Sequence, residues 1–322
     1  MTVRYRQAQG RSQELAAVAD ASFRVGEGEM LGLVGESGCG KTTLGRAILR
    51  LVPLAAGEVR WRGQRIDDLD RSRFRPLRRE LQLVFQDPSS ALDPRMTIAR
   101  SVAEPLRALM PGLAAAGRAE RVARQLAEVG LSPELAERYP HQLSGGQLQR
   151  AVIARALVVD PRFVVCDEPV SALDVSVQGQ IVNLLARIRR ERGLASLFIS
   201  HNLAVVARLC ERILVMYRGR IVEAAPREAV IRAPLHPYTR ELLDAVPVID
   251  AGAKRRVLAR SIGLATVDAA RSGGCAFAAR CTHAQARCRS ERPALRPARD
   301  GHLVACHRAG EWPRGLPPLV PG

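Results

Sequence analysis

Apolar residues in this chain fall into two kinds of pattern. Unbroken runs at Met30 to Val34, Phe163 to Cys166 and Ser196 to Ser200 predict strands buried on both faces. Elsewhere apolar positions recur every three or four residues. Leu44, Ala47, Ile48 and Leu51 form one such face; Ala119, Val122, Leu126 and Val129, between Gly117 and Gly130, form a second. Leu148, Val152, Ile153, Ala156 and Leu157 form a third, and Val177, Ile181, Leu184, Leu185 and Ile188, within residues 176–192, a fourth. Each predicts a helix with one buried face, the last closed by Gly193. Ser132-Pro133 predicts the start of another helix, and Arg218-Gly219 the turn of a hairpin. Buried strands alternating with amphipathic helices predict an α/β fold around an open, largely parallel sheet.

With 322 residues and 47% hydrophobic content, the chain has room for one large or two medium domains. No apolar stretch approaches the twenty or so residues of a membrane span, and Met1 to Gly10 lacks the apolar core of a signal peptide, so a cytoplasmic location is expected. A net charge of +17 invites a nucleic-acid reading. Aromatic residues are only 4%, however, and the arginines are interspersed with acids along helices, so no nucleic-acid partner is expected. The basic excess is concentrated late, where residues 251–322 hold 13 Lys/Arg against 4 Asp/Glu, which marks the tail as a separate region.

Only two of the 49 basic residues are lysines, and one is Lys41, at the end of Gly35-Glu36-Ser37-Gly38-Cys39-Gly40-Lys41-Thr42-Thr43. A compact ammonium on a flexible stem serves there better than a forked guanidinium. The run fits G-x-x-x-x-G-K-[ST], a phosphate-binding loop, and it stands between a predicted strand and a predicted helix. Glycines let backbone N–H groups turn inward around phosphates, and the helix N-terminus adds its positive end. Lys41 is expected to bridge the outer phosphates of ATP, and Thr42 to ligate Mg²⁺.

The strand Phe163 to Cys166 ends in Asp167 and Glu168. Ligands of open α/β sheets sit outside the carboxyl ends of the strands, so Asp167 can reach the Mg²⁺ shell while Glu168 faces an attacking water as base. Between these motifs, Leu143-Ser144-Gly145-Gly146-Gln147 opens another helix and offers a second anion-binding N-terminus. One chain has no need of two cradles for the same terminal phosphate, so this one is expected to serve the ATP of a partner across a dimer interface.

These runs, together with Ser171-Ala172-Leu173-Asp174 and His201, resemble the nucleotide-binding domain of ABC transporters. The resemblance implies an ABC-type P-loop NTPase fold, with a RecA-like core, an antiparallel β subdomain and a helical subdomain over about 87–159. It makes Gln86, within Phe85-Gln86-Asp87-Pro88, the glutamine that touches Mg²⁺ and the attacking water and senses the membrane partner. It sets Asp174 at the dimer seam, His201 against the γ-phosphate and Tyr5 on the adenine ring. His236-Pro237-Tyr238-Thr239-Arg240, followed by Leu242, Leu243 and Ala245-Val246-Pro247, resembles the C-terminal extension of dipeptide and oligopeptide importer ATPases. On that likeness the domain spans 1–235 and the extension 236–322. The stretches Phe85 to Ile98 and Cys166 to Leu185 resemble the second of the two unlike ATPases such importers use, which implies a heterodimer with a paralogous subunit. Two permease subunits and a separate solute-binding protein would complete the system, with this chain peripheral on the cytoplasmic face of the membrane.

Cys275, Cys281, Cys288 and Cys306 crowd the tail. A reducing compartment favours metal over disulfides, and four thiolates suit a [4Fe-4S] cluster or a structural zinc. None of the spacings is the short pair usual for zinc, and the family's extension resembles a [4Fe-4S] segment, while His283, His302 and His307 leave zinc open and a tail without metal is the third alternative. Between Ala251 and Gly274 the sequence departs from the proline-rich approach of the family. A soluble ABC-type ATPase acting on nucleic acid or ribosomes is the alternative function. The transported solute is not legible here.

Overall fold

The strands alternate their side chains between two cores, one on each face of the central sheet. In the computed structural model, whose described residues are 1–6, 14–245, 273–309 and 311, the strands follow as β1 (Val3–Arg6), β2 (Glu14–Val18), β3 (Met30–Val34), β4 (Arg60–Trp61), β5 (Gln64–Arg65) and β6 (Leu81–Val84). They continue as β7 (Phe163–Asp167), β8 (Ala195–Ser200), β9 (Arg212–Tyr217), β10 (Arg220–Pro226), β11 (Arg296–Arg299) and β12 (His302–Val304). Met30 and Val34 of β3, Val164 and Cys166 of β7, and Phe198 of β8 point into one core with Ile98, Val102, Leu106, Ile153 and Leu157. Leu31, Leu33, Phe163, Val165, Leu197 and Ile199 point into the other with Leu44, Ala47 and Phe74. The period of two explains why these strands read as continuous apolar runs: both faces are covered.

The main sheet runs in the order β11-β12-β10-β9-β3-β8-β7-β6. Neighbours among β6, β7, β8, β3 and β9 pair in parallel. The pairs β9–β10, β10–β12 and β11–β12 are antiparallel. The hairpin expected at Arg218-Gly219 joins β9 to β10, with both residues at positive φ, 45° and 80°. β1 and β2 form a separate antiparallel pair, as do β4 and β5.

The predicted helices are found at Lys41–Ile48, Ala115–Glu128, Gly145–Leu157 and Val175–Arg192. Two expectations need correction. Ser132-Pro133 opens only a short 3₁₀ turn, Pro133–Glu137, in which the Ser132 side chain makes no cap. The helix after the glycine loop ends at Ile48, so Leu51 lies beyond it and is 46% exposed. Between β6 and β7 the regular structure is entirely helical, including Ile98–Leu109, whose buried Ile98, Val102 and Leu106 supply one core.

The tail is less separate than its charge suggests. β12 pairs with β10 and carries β11 outside it, extending the central sheet. Glu223 of β10 is fully buried, accepts hydrogen bonds from the N–H groups of Leu235 and His236 at 2.7 and 3.0 Å, and lies 2.6 Å from Nε2 of the buried His302. His236 in turn caps the helix Pro237–Asp244 by accepting the Tyr238 N–H at 3.1 Å. The stretch of expected family departure lies almost wholly outside the described residues, as do Val246 and Pro247.

Candidate functional site

The loop after β3 is shaped by close approach as well as by glycine torsion. Gly38 and Gly40 have φ of 76° and 105°, and a Cβ on Gly40 would stand 2.2 Å from the Ala17 carbonyl. The Gly219 N–H donates to the Cys39 carbonyl at 2.8 Å, so the β9–β10 turn braces the loop from behind. Ser37 and Gly38 are exposed at its crown, while Cys39 and Lys41 are buried. The helix Lys41–Ile48 then starts with no side-chain cap, leaving its first-turn N–H groups for an anion.

Lys41 Nζ donates to the carbonyls of Gly35 and Glu36 at 2.8 and 3.0 Å and stands 3.7 Å from Glu168 Oε1. The Thr42 hydroxyl donates to Asp167 Oδ1 at 2.9 Å, which joins the start of the helix to the end of β7. Burial raises the Asp167 carboxyl above the ordinary carboxylate value, opposed by that hydrogen bond. A buried carboxylate beside a hydroxyl is a site short of positive charge, which fits a divalent cation.

Glu168 follows at a φ of 45°, a conformation non-glycine residues adopt rarely and which turns its side chain across the site. Its Oε2 is 3.0 Å from His201 Nδ1 and accepts from Gln86 Nε2 at 3.4 Å. The Glu168 N–H donates to the Ile199 carbonyl at 3.0 Å, and its carbonyl accepts the Ser171 hydroxyl at 3.0 Å. The ends of β3, β6, β7 and β8 thus deliver Lys41, Gln86, Asp167, Glu168 and His201 to one place, at the carboxyl edge of the parallel strands. Sequence reading placed Ser171 in a family motif but gave it no role of its own; its hydroxyl fixes the turn carrying Glu168.

Ser144 and Gln147 do not join this cluster. They cap the helix Gly145–Leu157 reciprocally, with Gln147 N–H on Ser144 Oγ at 3.4 Å and Ser144 N–H on Gln147 Oε1 at 3.0 Å. A Cβ on Gly146 would meet Val177 Cγ1 at 2.6 Å, so the Ser144–Gln147 loop packs on the start of Val175–Arg192. Asp174 is the exposed N-cap residue of that helix, and Val175 beside it is 84% exposed. Tyr5 is 42% exposed on β1, which pairs with β2.

Cys275, Cys281, Cys288 and Cys306 line one small cavity, together with His236, Phe277, His283 and His307. Burial raises the thiols of Cys275, Cys281 and Cys306, the last to about 11, and the neighbouring cysteines push each further up. Among the described residues, no three His, Cys, Asp or Glu side chains converge tightly enough for a single metal ion. His302, kept open as a zinc ligand by the sequence, is instead engaged with Glu223. Cys39, Cys166 and Cys210 are buried elsewhere, and burial raises all three thiols.

The profile of the ABC transporter family matches residues 18–171, and that of the oligopeptide/dipeptide transporter C-terminal region matches residues 222–288. The chain is 44% identical over 300 residues to the oligopeptide transport ATP-binding protein OppF of Haemophilus influenzae, covering 92% of this chain and 90% of that protein. It is 46% identical over 293 residues to OppF of Escherichia coli strain K12, covering 91% and 87%. It is 54% identical over 246 residues to the E. coli glutathione import ATP-binding protein GsiA, covering 76% of this chain but only 39% of that longer protein. Among solved structures, a dimeric ATP-binding cassette in a post-hydrolysis state bound to ADP and Pi superposes with a TM-score of 0.64 at 30% identity, over 70% of this chain and 96% of that one.

Proposed function

Since the chain belongs to the ATP-binding subunits of ABC peptide importers, and hydrolyses ATP to power import, we propose how its residues divide that work. Gly35 to Thr43 wrap the phosphates of ATP, Lys41 leaves its loop carbonyls for the outer phosphates, and Thr42, Gln86 and Asp167 hold Mg²⁺. When bound, Mg²⁺ neutralises charge on the transferred phosphoryl group. Glu168 takes the proton of the attacking water, while His201 and Gln86 fix its orientation through Oε2. Tyr5 offers its exposed ring to adenine. The observation that carries this reading is the convergence of Lys41, Thr42, Gln86, Asp167, Glu168 and His201 at one edge of the sheet.

The exposed Ser144, Gly145 and Asp174, outside that cluster, face a partner: Ser144 to Gln147 close over the ATP of a second cassette, a paralogous subunit, and Asp174 lines the seam. Two permease subunits receive this pair at the cytoplasmic face of the membrane, and a separate binding protein supplies the solute. Among the described residues no helix is long and apolar enough to cross a membrane. The solute is a peptide or peptide-like molecule, the class named for the OppF and GsiA relatives. An extension of importer type argues against the soluble nucleic-acid or ribosome ATPase.

The thiols of Cys275, Cys281 and Cys306, raised by burial and facing one cavity with Cys288, are costly to ionise unless a cation compensates. That donor set fits a [4Fe-4S] cluster held by Cys275, Cys281, Cys288 and Cys306, which would pin the tail; zinc is the lesser alternative, since single-ion convergence is lacking. For the ATP site, the test is Glu168→Gln in a transporter whose partner subunit is equally disabled. Turnover should fall by about 10²–10⁴-fold with ATP affinity nearly unchanged. Ordinary hydrolysis by that protein would overturn the assignment of Glu168.

A further inference from the structure

Glu36, the second residue of the phosphate loop, is held by all three of its polar handles, and two of the three holders come from the C-terminal extension. Its N–H donates to the Tyr238 hydroxyl at 2.8 Å. Its carboxylate accepts Arg280 Nη1 at 2.5 Å, and its carbonyl accepts Lys41 Nζ at 3.0 Å. Tyr238 is fully buried, with its ring 4.6 Å from that of Tyr217 and 5.7 Å from that of Phe277. The Arg280 guanidinium lies 5.9 Å from the Tyr238 ring centroid and 5.8 Å from that of Phe277, and its Nη2 also meets Glu241 at 2.8 Å. Next to Tyr217, the Met216 carbonyl occupies the place a Cβ on Gly35 would need, 2.2 Å away. The front of the phosphate loop therefore rests on an aromatic and cationic wall that Tyr238, Phe277 and Arg280 of the extension build against the end of β9.

We propose that Tyr238 and Arg280 are positioning residues for the phosphate loop, so that the affinity of the cassette for ATP depends on its C-terminal extension. The proposal rests on the reading that Gly35 to Thr43 binds ATP. A loop ordered before binding spares the nucleotide the cost of ordering it, and the saving appears in affinity. Tyr238 fixes the direction of the Glu36 peptide, and Arg280 fixes the side chain that would otherwise swing over the exposed crown at Ser37 and Gly38. Lys41 is set by the same residue, since it bonds the Glu36 carbonyl. Phe277, against which Tyr238 and Arg280 pack, also lines the cysteine cavity, so the segment carrying Arg280 is anchored there.

A role confined to gluing the extension in place would lower the unfolding temperature and leave nucleotide affinity alone. Positioning moves affinity. The test titrates the full chain with a fluorescent ATP analogue and measures KM and kcat in the assembled transporter, with thermal unfolding alongside. Tyr238→Phe, which keeps the ring, should raise Kd and KM about three- to fivefold, the loss of one hydrogen bond, with kcat within about twofold. Arg280→Ala should raise them about tenfold, and Arg280→Lys should recover part of that loss. Combined with Glu36→Gln, Arg280→Ala should cost no more than the larger single effect, because the two remove the same contact. Wild-type affinity in folded Tyr238→Phe and Arg280→Lys proteins, or additive effects of Glu36→Gln and Arg280→Ala, would refute the positioning role even where Arg280→Ala does not fold. Lys41→Ala separates the two levels. If it abolishes nucleotide binding while the extension variants bind normally, only the positioning role falls; if it binds ATP normally, the ATP reading falls with it.

Discussion

His236 illustrates how one side chain can hold two parts of this protein together without carrying charge. It is buried, caps the helix Pro237–Asp244, and is pushed down to about 4 by burial, with the Glu223 charge only partly opposing. A histidine whose folded pKa lies below its ordinary 6.5 favours the folded state fully above that value, and the advantage is lost as pH falls toward 4. Stability should therefore decline from pH 6.5 downward by up to about 1.4 kcal/mol per pH unit from this group. His236→Asn keeps a capping acceptor and removes the titration. Its urea midpoint should change less between pH 7 and pH 5 than that of the unaltered protein; equal slopes would show that other groups carry the acid sensitivity. At this scale the sequence exposed the residues that converge at the candidate site, because each sits at a fixed offset from a strand end or a glycine loop. It concealed the contacts of Tyr238 and Arg280 with Glu36, which span 202 and 244 positions, a distance at which no local pattern operates.

Among the elements, the glycine loop and its helix carry the proposed phosphate site. Gly38 and Gly40 both have positive φ, but their surroundings differ. A Cβ at Gly38 meets nothing within 4 Å, whereas one at Gly40 collides with the Ala17 carbonyl at 2.2 Å. Gly38→Ala should thus cost only torsional strain of about 1 kcal/mol, while Gly40→Ala must also displace β2 or the loop and should weaken ATP binding about tenfold or more. Unfolding and nucleotide titration of the two variants would test the ranking, and equal effects would remove the role assigned to the β2 contact. β3, β7 and β8 were legible because their alternating side chains are apolar toward both cores. The turn Pro133–Glu137 was not, because Ser132-Pro133 begins a helix and a 3₁₀ turn with the same letters, and the residues after it supply little apolar periodicity.

Over the whole molecule, the extension behaves as the outer margin of the cassette. β11 and β12 lengthen the central sheet, Phe277 and Tyr238 share its core, and the four cysteines close a cavity against His236. Composition pointed to a separate region because charge and proline content register solvent exposure, not strand pairing. If a metal holds the cysteines, protein purified without oxygen should contain iron and sulfide and show their visible absorption, and Cys288→Ser should lose both and unfold a few degrees lower. Protein with full thermal stability and neither iron nor zinc would leave the cavity as ordinary packing.

The pairing of β10 with β12 also sets a clock on synthesis. Glu223 leaves the ribosome 79 residues before His302, its ring partner across that pair. At roughly 5–20 residues per second, the carboxylate waits on the order of 4–16 s with its strand edge bare. The nascent cassette spends that interval with a sheet margin open to neighbouring chains on the same message, and only the later emergence of β12 shuts it.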